Sequence, residues 1–231
     1  MKIIGMIGGI GPESTIDYYK RLLDGTQKRN PGGPPPSIII NSIDLQKGLH
    51  LLGTNQLKEL TEYIVPEVVR LHNAGADFGF LAANSPHIVF DDIAPRSPIP
   101  LVSIVEATCT EAKVRGFKKL GLFGTRFTMH GRFYPDVFTG EGIALAVPAA
   151  DEQDYIHDKY LNELIPGKFL PRTREGLLAI ARRMRDEEGI QALILGGTEL
   201  PLILTDESAL GIPFLDTTQI HVNAIVEAAM V

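Results

Sequence analysis

The sequence predicts an α/β protein of two similar domains, each a parallel sheet flanked by helices. Two observations carry this. Short apolar runs bounded by glycine alternate with longer amphipathic stretches, the pattern of strands and helices in a parallel sheet, and segments of the first half recur in the second. The expected strands are 2–7, 37–43, 78–83 and 99–103, then 118–123, 143–147, 191–196 and 212–215. Residues 2–7 could begin a secretory signal, but Gly8-Gly9-Ile10-Gly11-Pro12-Glu13 interrupts the apolar run too early, so they read as a buried first strand. Helical spacing of apolar residues marks 13–23, 56–72, 105–115, 155–164, 174–187 and 219–230. Pro31 to Pro36 holds four prolines and two glycines, which support neither a helix nor an inner strand, so this stretch is a loop.

The repeat is specific. Gly5-Met6-Ile7-Gly8 returns as Gly121-Leu122-Phe123-Gly124, each a strand running into a turn and then a helix. Residues 73–85 align with 188–199, and Ile99-Pro100-Leu101-Val102-Ser103 with Ile212-Pro213-Phe214-Leu215-Asp216. Three matches in one order argue for duplicated halves and a site at their strand ends.

Composition narrows the function. Hydrophobic residues make up 44% of the 231, enough for substantial cores. The net charge of −6 gives no basic footprint for nucleic acid. No apolar run approaches the roughly 20 residues of a membrane span. The single cysteine, Cys109, allows no internal disulfide and points to a reducing compartment, the cytoplasm. It falls within an expected helix, where packing explains it. The six histidines show no metal-binding spacing, and one cysteine cannot complete a zinc set.

Three turns carry candidate chemistry. The run from Gly8 to Thr15 follows a strand and opens a helix, so its backbone N–H groups can receive an anion, or Ser or Thr can simply cap the helix. It lacks the Gly-Lys-Ser/Thr of a nucleotide loop, and Ser14 stands where the dinucleotide fingerprint needs its third glycine. Ala83-Asn84-Ser85-Pro86-His87 and Gly197-Thr198-Glu199-Leu200-Pro201 end matched strands with small polar residues. Such groups either cap the following turn or hold a carboxylate. His87 is the one imidazole among them, suited to proton transfer or to structural hydrogen bonding.

These residues resemble the aspartate/glutamate racemase family. The resemblance runs nearly end to end and rests on the opening Gly-Gly-x-Gly turn with Glu13-Ser14-Thr15 and Tyr18-Tyr19. It includes Asn84-Ser85-Pro86-His87, Gly124-Thr125-Arg126-Phe127-Thr128-Met129, Leu195 to Pro201, and the closing Pro213 to His221. It implies two α/β domains, 1–98 plus 208–231 and 99–207, facing across an active-site cleft, with homodimers common. It also implies a small carboxylate or amino-acid ligand and a PLP-independent reaction without cofactor. In that family a cysteine from each domain flanks the α-carbon, because inversion needs proton traffic on both faces.

Here Ala83 and Gly197 occupy the two family cysteine positions. The remaining positions implied for substrate binding are Gly9, Ile10, Gly11, Asn84, Ser85, Thr125, Thr198 and Glu199. Lys47, Arg126 and Lys168 are candidate countercharges, with surface solvation the alternative. Pro166 replaces a basic residue that some relatives carry, which bears on dicarboxylate preference. An amino-acid racemase or isomerase would then move protons through Glu199, His87 or Ser85. A lyase or hydrolase would need only one such group, Glu199 or His87, and a silent carboxylate-binding protein none. Alanine at one position and glycine at the other argue for natural divergence over mutagenesis.

Overall fold

The computed structural model describes residues 1–205 and 210–231. It contains two four-stranded parallel sheets. The first is built from β1 (Ile4–Gly8), β2 (Ile38–Ser42), β3 (Phe78–Leu81) and β4 (Leu101–Val102), in the order β2-β1-β3-β4. The second is built from β5 (Lys119–Gly124), β6 (Ala144–Ala146), β7 (Ala192–Gly196) and β8 (Phe214–Asp216), in the order β6-β5-β7-β8. The two orders are one permutation used twice, so the repeat read from the sequence is a repeat of topology.

Chain contacts gather into two compact units, Met1–Ile104 with Thr218–Val231, and Val105–Thr217. The boundaries expected from the sequence, 98/99 and 207/208, differ from these. Strand β4 pairs with β3 through Gly79↔Leu101 and Phe80↔Val102, and β8 pairs with β7 from Leu193↔Phe214 to Leu195↔Asp216. Each fourth strand therefore stays in the sheet of the three before it. An apolar run announces a strand but not its partner, so which sheet each fourth strand joins is decided by pairing across the fold. Position 207/208 lies outside the described residues.

In the first unit β1 is buried along its whole length, consistent with a central parallel strand covered on both faces. Ile4, Met6, Phe78 and Phe80 pack with Tyr18 and Leu22 of helix Pro12–Arg29, and with Val222, Ile225 and Val226 of the C-terminal helix Thr217–Met230. Helix Pro12–Arg29 starts on a proline, carries Glu13 in its first turn and ends with Lys28 and Arg29, charges that complement its dipole. Helix Leu45–Gly53 is not among the helices expected from the sequence. Asp44 starts it by accepting from the N–H groups of Gln46 and Lys47 at 2.8 and 3.2 Å.

In the second unit, Phe123, Leu193 and Leu195 of the sheet pack with Ile156, Tyr160, Leu177, Ala181 and Met184. Helix Ala150–Lys159 widens into a π turn over Tyr160–Leu164, where Ile165 N–H reaches back five residues to the Tyr160 carbonyl at 3.0 Å. Cys109 lies buried in helix Ile104–Val114, and burial pushes its thiol up. Among the described residues no helix is long and apolar enough to cross a membrane.

Candidate functional site

Open parallel sheets bind ligands beyond the carboxyl ends of their strands, where the strand order reverses. In these sheets the reversal lies between β1 and β3 and between β5 and β7. The three polar turns singled out in the sequence follow three of those strands, Gly9-Ile10-Gly11 after β1, Ala83-Asn84-Ser85 after β3 and Gly197-Thr198-Glu199 after β7, and Thr125, implied by the resemblance, follows the fourth, β5.

After β1, Gly9 adopts φ +82°, and a Cβ there would lie 2.5 Å from the Ile43 carbonyl oxygen, so only glycine fits. Its N–H donates to Thr15 Oγ1 at 2.8 Å, and Thr15 Oγ1 donates in turn to the Gly11 carbonyl at 3.1 Å. The expected capping by Ser or Thr does not occur, since Gly11 is the cap residue and no side chain caps the helix. Ser14, fully buried, instead donates to the Ala82 carbonyl at 2.8 Å and ties the helix start to the end of β3. One of the N–H groups expected to receive an anion is thus already engaged.

After β3, Ala83 and Asn84 are buried and Ser85 is partly exposed. His87 is buried, with Nδ1 3.0 Å from the Ala83 carbonyl and Nε2 accepting from Ile104 N–H at 3.3 Å. Those partners fix a neutral ring protonated on Nδ1. Burial lowers its pKa to about 4, against the pull of the Ala83 and Asn84 carbonyls. Of the two roles open to His87, this geometry supplies the structural one. Beside it His221 accepts from Tyr18 Oη at 2.9 Å and donates to the Val102 carbonyl at 3.0 Å; burial, helped by His87, lowers it to about 3.

After β5, Thr125 caps the short helix Arg126–His130 by accepting from Thr128 N–H. Two candidate countercharges are engaged elsewhere: Arg126 pairs with Asp154 at 2.6 Å, and Lys47 Nζ sits 4.1 Å from the centre of the Tyr63 ring.

After β7 the arrangement differs. Thr198 and Glu199 are both buried, and Thr198 Oγ1 donates to Glu199 Oε2 at 2.9 Å. Tyr160, from the π turn, donates its hydroxyl to the same carboxylate oxygen, while Glu199 N–H lies 3.4 Å from Tyr160 Oη. Burial, and then the Glu199 charge, push the Tyr160 phenol well above its usual value, so it keeps its proton. A Cβ at Gly197 would lie 2.5 Å from Tyr160 Cε2 and 2.6 Å from its Oη. Nothing in the sequence singled out this residue. Tyr160 lies 39 positions from Glu199, within an expected helix that carried no motif.

Among the described residues no group of three or more His, Cys, Asp or Glu side chains is placed to hold a metal ion.

Matched parallel sheets with polar turns at their reversal points define an α/β protein of the open-sheet class, in which such strand ends are where small molecules bind. The chain belongs to the Asp/Glu/Hydantoin racemase family, whose profile matches residues 7–225. It is 25% identical over 225 residues to the broad specificity amino-acid racemase RacX of Bacillus subtilis, covering 94% of this chain and 93% of that one. It is similar to the crystal structure of an aspartate racemase homologue from Pyrococcus horikoshii, with 32% identity, full coverage of both chains and a TM-score of 0.85. The aspartate racemase of Picrophilus torridus shares the fold at 23% identity, with a TM-score of 0.80 over 100% of this chain and 95% of that one.

Proposed function

We propose that the protein is a PLP-independent amino-acid racemase or isomerase that takes a small amino acid by its carboxylate. The observation that carries this is the coincidence of the family's polar turns with all four reversal-point strand ends. In this reading Gly9, Ile10 and Gly11, with Asn84, Ser85, Thr125 and Thr198, hold the substrate's carboxylate and amino groups, and Glu199 handles its proton. Relatives support an enzyme of the racemase class, and RacX supports testing more than dicarboxylates. Pro166, where some relatives carry a basic residue, also argues against strict dicarboxylate selectivity.

The test is incubation with D- and L-aspartate, glutamate, alanine and lysine in deuterated water, with α-hydrogen exchange read by NMR and enantiomers separated by chiral chromatography. Exchange above a heat-killed control is the expected result. A second reading is favoured by Ala83 and Gly197, which carry no proton to transfer: a protein that only binds the carboxylate. Saturable binding by calorimetry without exchange would select it, and a change in substrate mass would select a lyase or hydrolase.

A further inference from the structure

Gly197 leaves no gap. The space that any side chain at 197 needs is filled by the ring and hydroxyl of Tyr160, which is 4% exposed, and that hydroxyl is bound to Glu199, which is 2% exposed. The π turn at Tyr160–Leu164 sets this ring beside the end of β7. Such local widenings recur at functional sites because they re-aim a side chain without breaking the helix.

We infer that Tyr160 and Glu199 form a phenol–carboxylate proton relay that stands in for a thiol at position 197. The inference rests on the function proposed above and supplies the group that reading lacks. In the forward step the substrate α-C–H bond breaks and its proton passes to Tyr160 Oη. The phenol's own O–H bond breaks at the same time, and that proton passes to Glu199 Oε2. The electron pair of the C–H bond stays on the α-carbon and spreads into the substrate carboxylate. The negative charge has then moved from Glu199 to substrate, Tyr160 is again a neutral phenol, and the reverse step returns a proton. A phenol held protonated by burial enters this step in the required state, and no free phenolate forms.

One relay serves one face of the carbon. At the matched position after β3, Ala83 has no proton to give and both ring nitrogens of His87 face backbone groups. The relay therefore exchanges the α-hydrogen faster than it inverts the centre.

The experiment uses the full chain and the same amino acids in deuterated water, comparing wild type with Tyr160→Phe and Glu199→Gln at saturating substrate. Calorimetry reports binding, and thermal melts report folding. The expected result is exchange at least tenfold faster than inversion in wild type, and an exchange rate about 100-fold lower in each variant with binding within threefold, the scale of a lost general acid or base. Tyr160→Phe keeps the ring's volume. If it nevertheless fails to melt cooperatively, Glu199→Gln carries the test. Exchange in a folded variant within threefold of wild type overturns the relay and leaves the proposed function standing. Inversion as fast as exchange also overturns it. A wild type that binds without exchanging overturns the relay and selects the binding protein, and one that neither binds nor exchanges overturns the function and the relay together.

Discussion

The ends of β3 and β7 occupy the same place in the same topology, yet they are built in opposite ways. After β3 the polar residues are neutral and largely turned to backbone: Ser14 holds Ala82, and His87 bridges Ala83 and Ile104. After β7 a carboxylate, a phenol and a threonine hydroxyl converge within the core. A duplicated fold thus keeps its architecture while its two strand ends divide into a structural one and an ionisable one. Burying a charge is costly unless hydrogen bonds compensate it, so Tyr160 and Thr198 are conditions for having Glu199 there at all.

The largest effect expected from this contrast is in acid. His87 and His221 are buried in the first unit with pKa values of about 4 and 3, below the usual 6.5. The unfolded chain protonates both as pH falls through 6.5 while the folded chain does not. Their contribution is therefore complete above that pH and lost progressively below it, by ~3 kcal/mol from His87 alone down to pH 4. Urea titrations at pH 7, 5.5 and 4.5 should show this decline, and His87→Gln should flatten it even where the variant is weaker at pH 7. Hydrogen exchange should show β1 and β3 losing protection before β5 and β7. An unchanged slope in His87→Gln would mean that the neutral ring is not what acid attacks.

Next in size is the matched pair of small residues. Gly197→Ala drives a methyl into the Tyr160 ring and should cost roughly 1–3 kcal/mol as overpacking. Ala83→Gly only removes a methyl and frees the backbone, about 0.5–1 kcal/mol. Equal urea midpoints for the two variants would show that Tyr160 yields without cost.

The smallest effects separate the two helix starts. Thr125→Ala removes a side-chain cap and should cost about 1 kcal/mol. Ser14→Ala, at a helix that no side chain caps, should cost about the same through a different route, the loss of its bond to Ala82. The discriminating readout is local: hydrogen exchange should loosen helix Arg126–His130 in the first variant, and the end of β3 in the second.

Much of this was legible in the residues. The eight apolar runs became eight strands, most plainly the central β1, β3, β5 and β7, because a central parallel strand must be apolar on both faces, and that is a property of a few consecutive residues. The turns at 9–11, 83–85 and 197–199 were legible because glycine and small polar residues punctuate strand ends locally, whereas Thr125 came only from the resemblance. Helix Leu45–Gly53 is not among the helices expected from the sequence; it is short, and its start rests on the Asp44 cap.

By itself, the sequence determined the class of fold, its duplication, and the absence of thiols at positions 83 and 197, all of which reside in local pattern or in comparison of one half with the other. Tertiary structure alone decided which sheet β4 and β8 join, which tautomer His87 adopts, how Thr15 takes up the Gly9 N–H, and that Tyr160 stands beside Gly197. Each of these depends on a partner that the chain brings near only by folding. Hydrogen bonds and steric contacts act over a few ångströms of space, whatever the distance along the sequence.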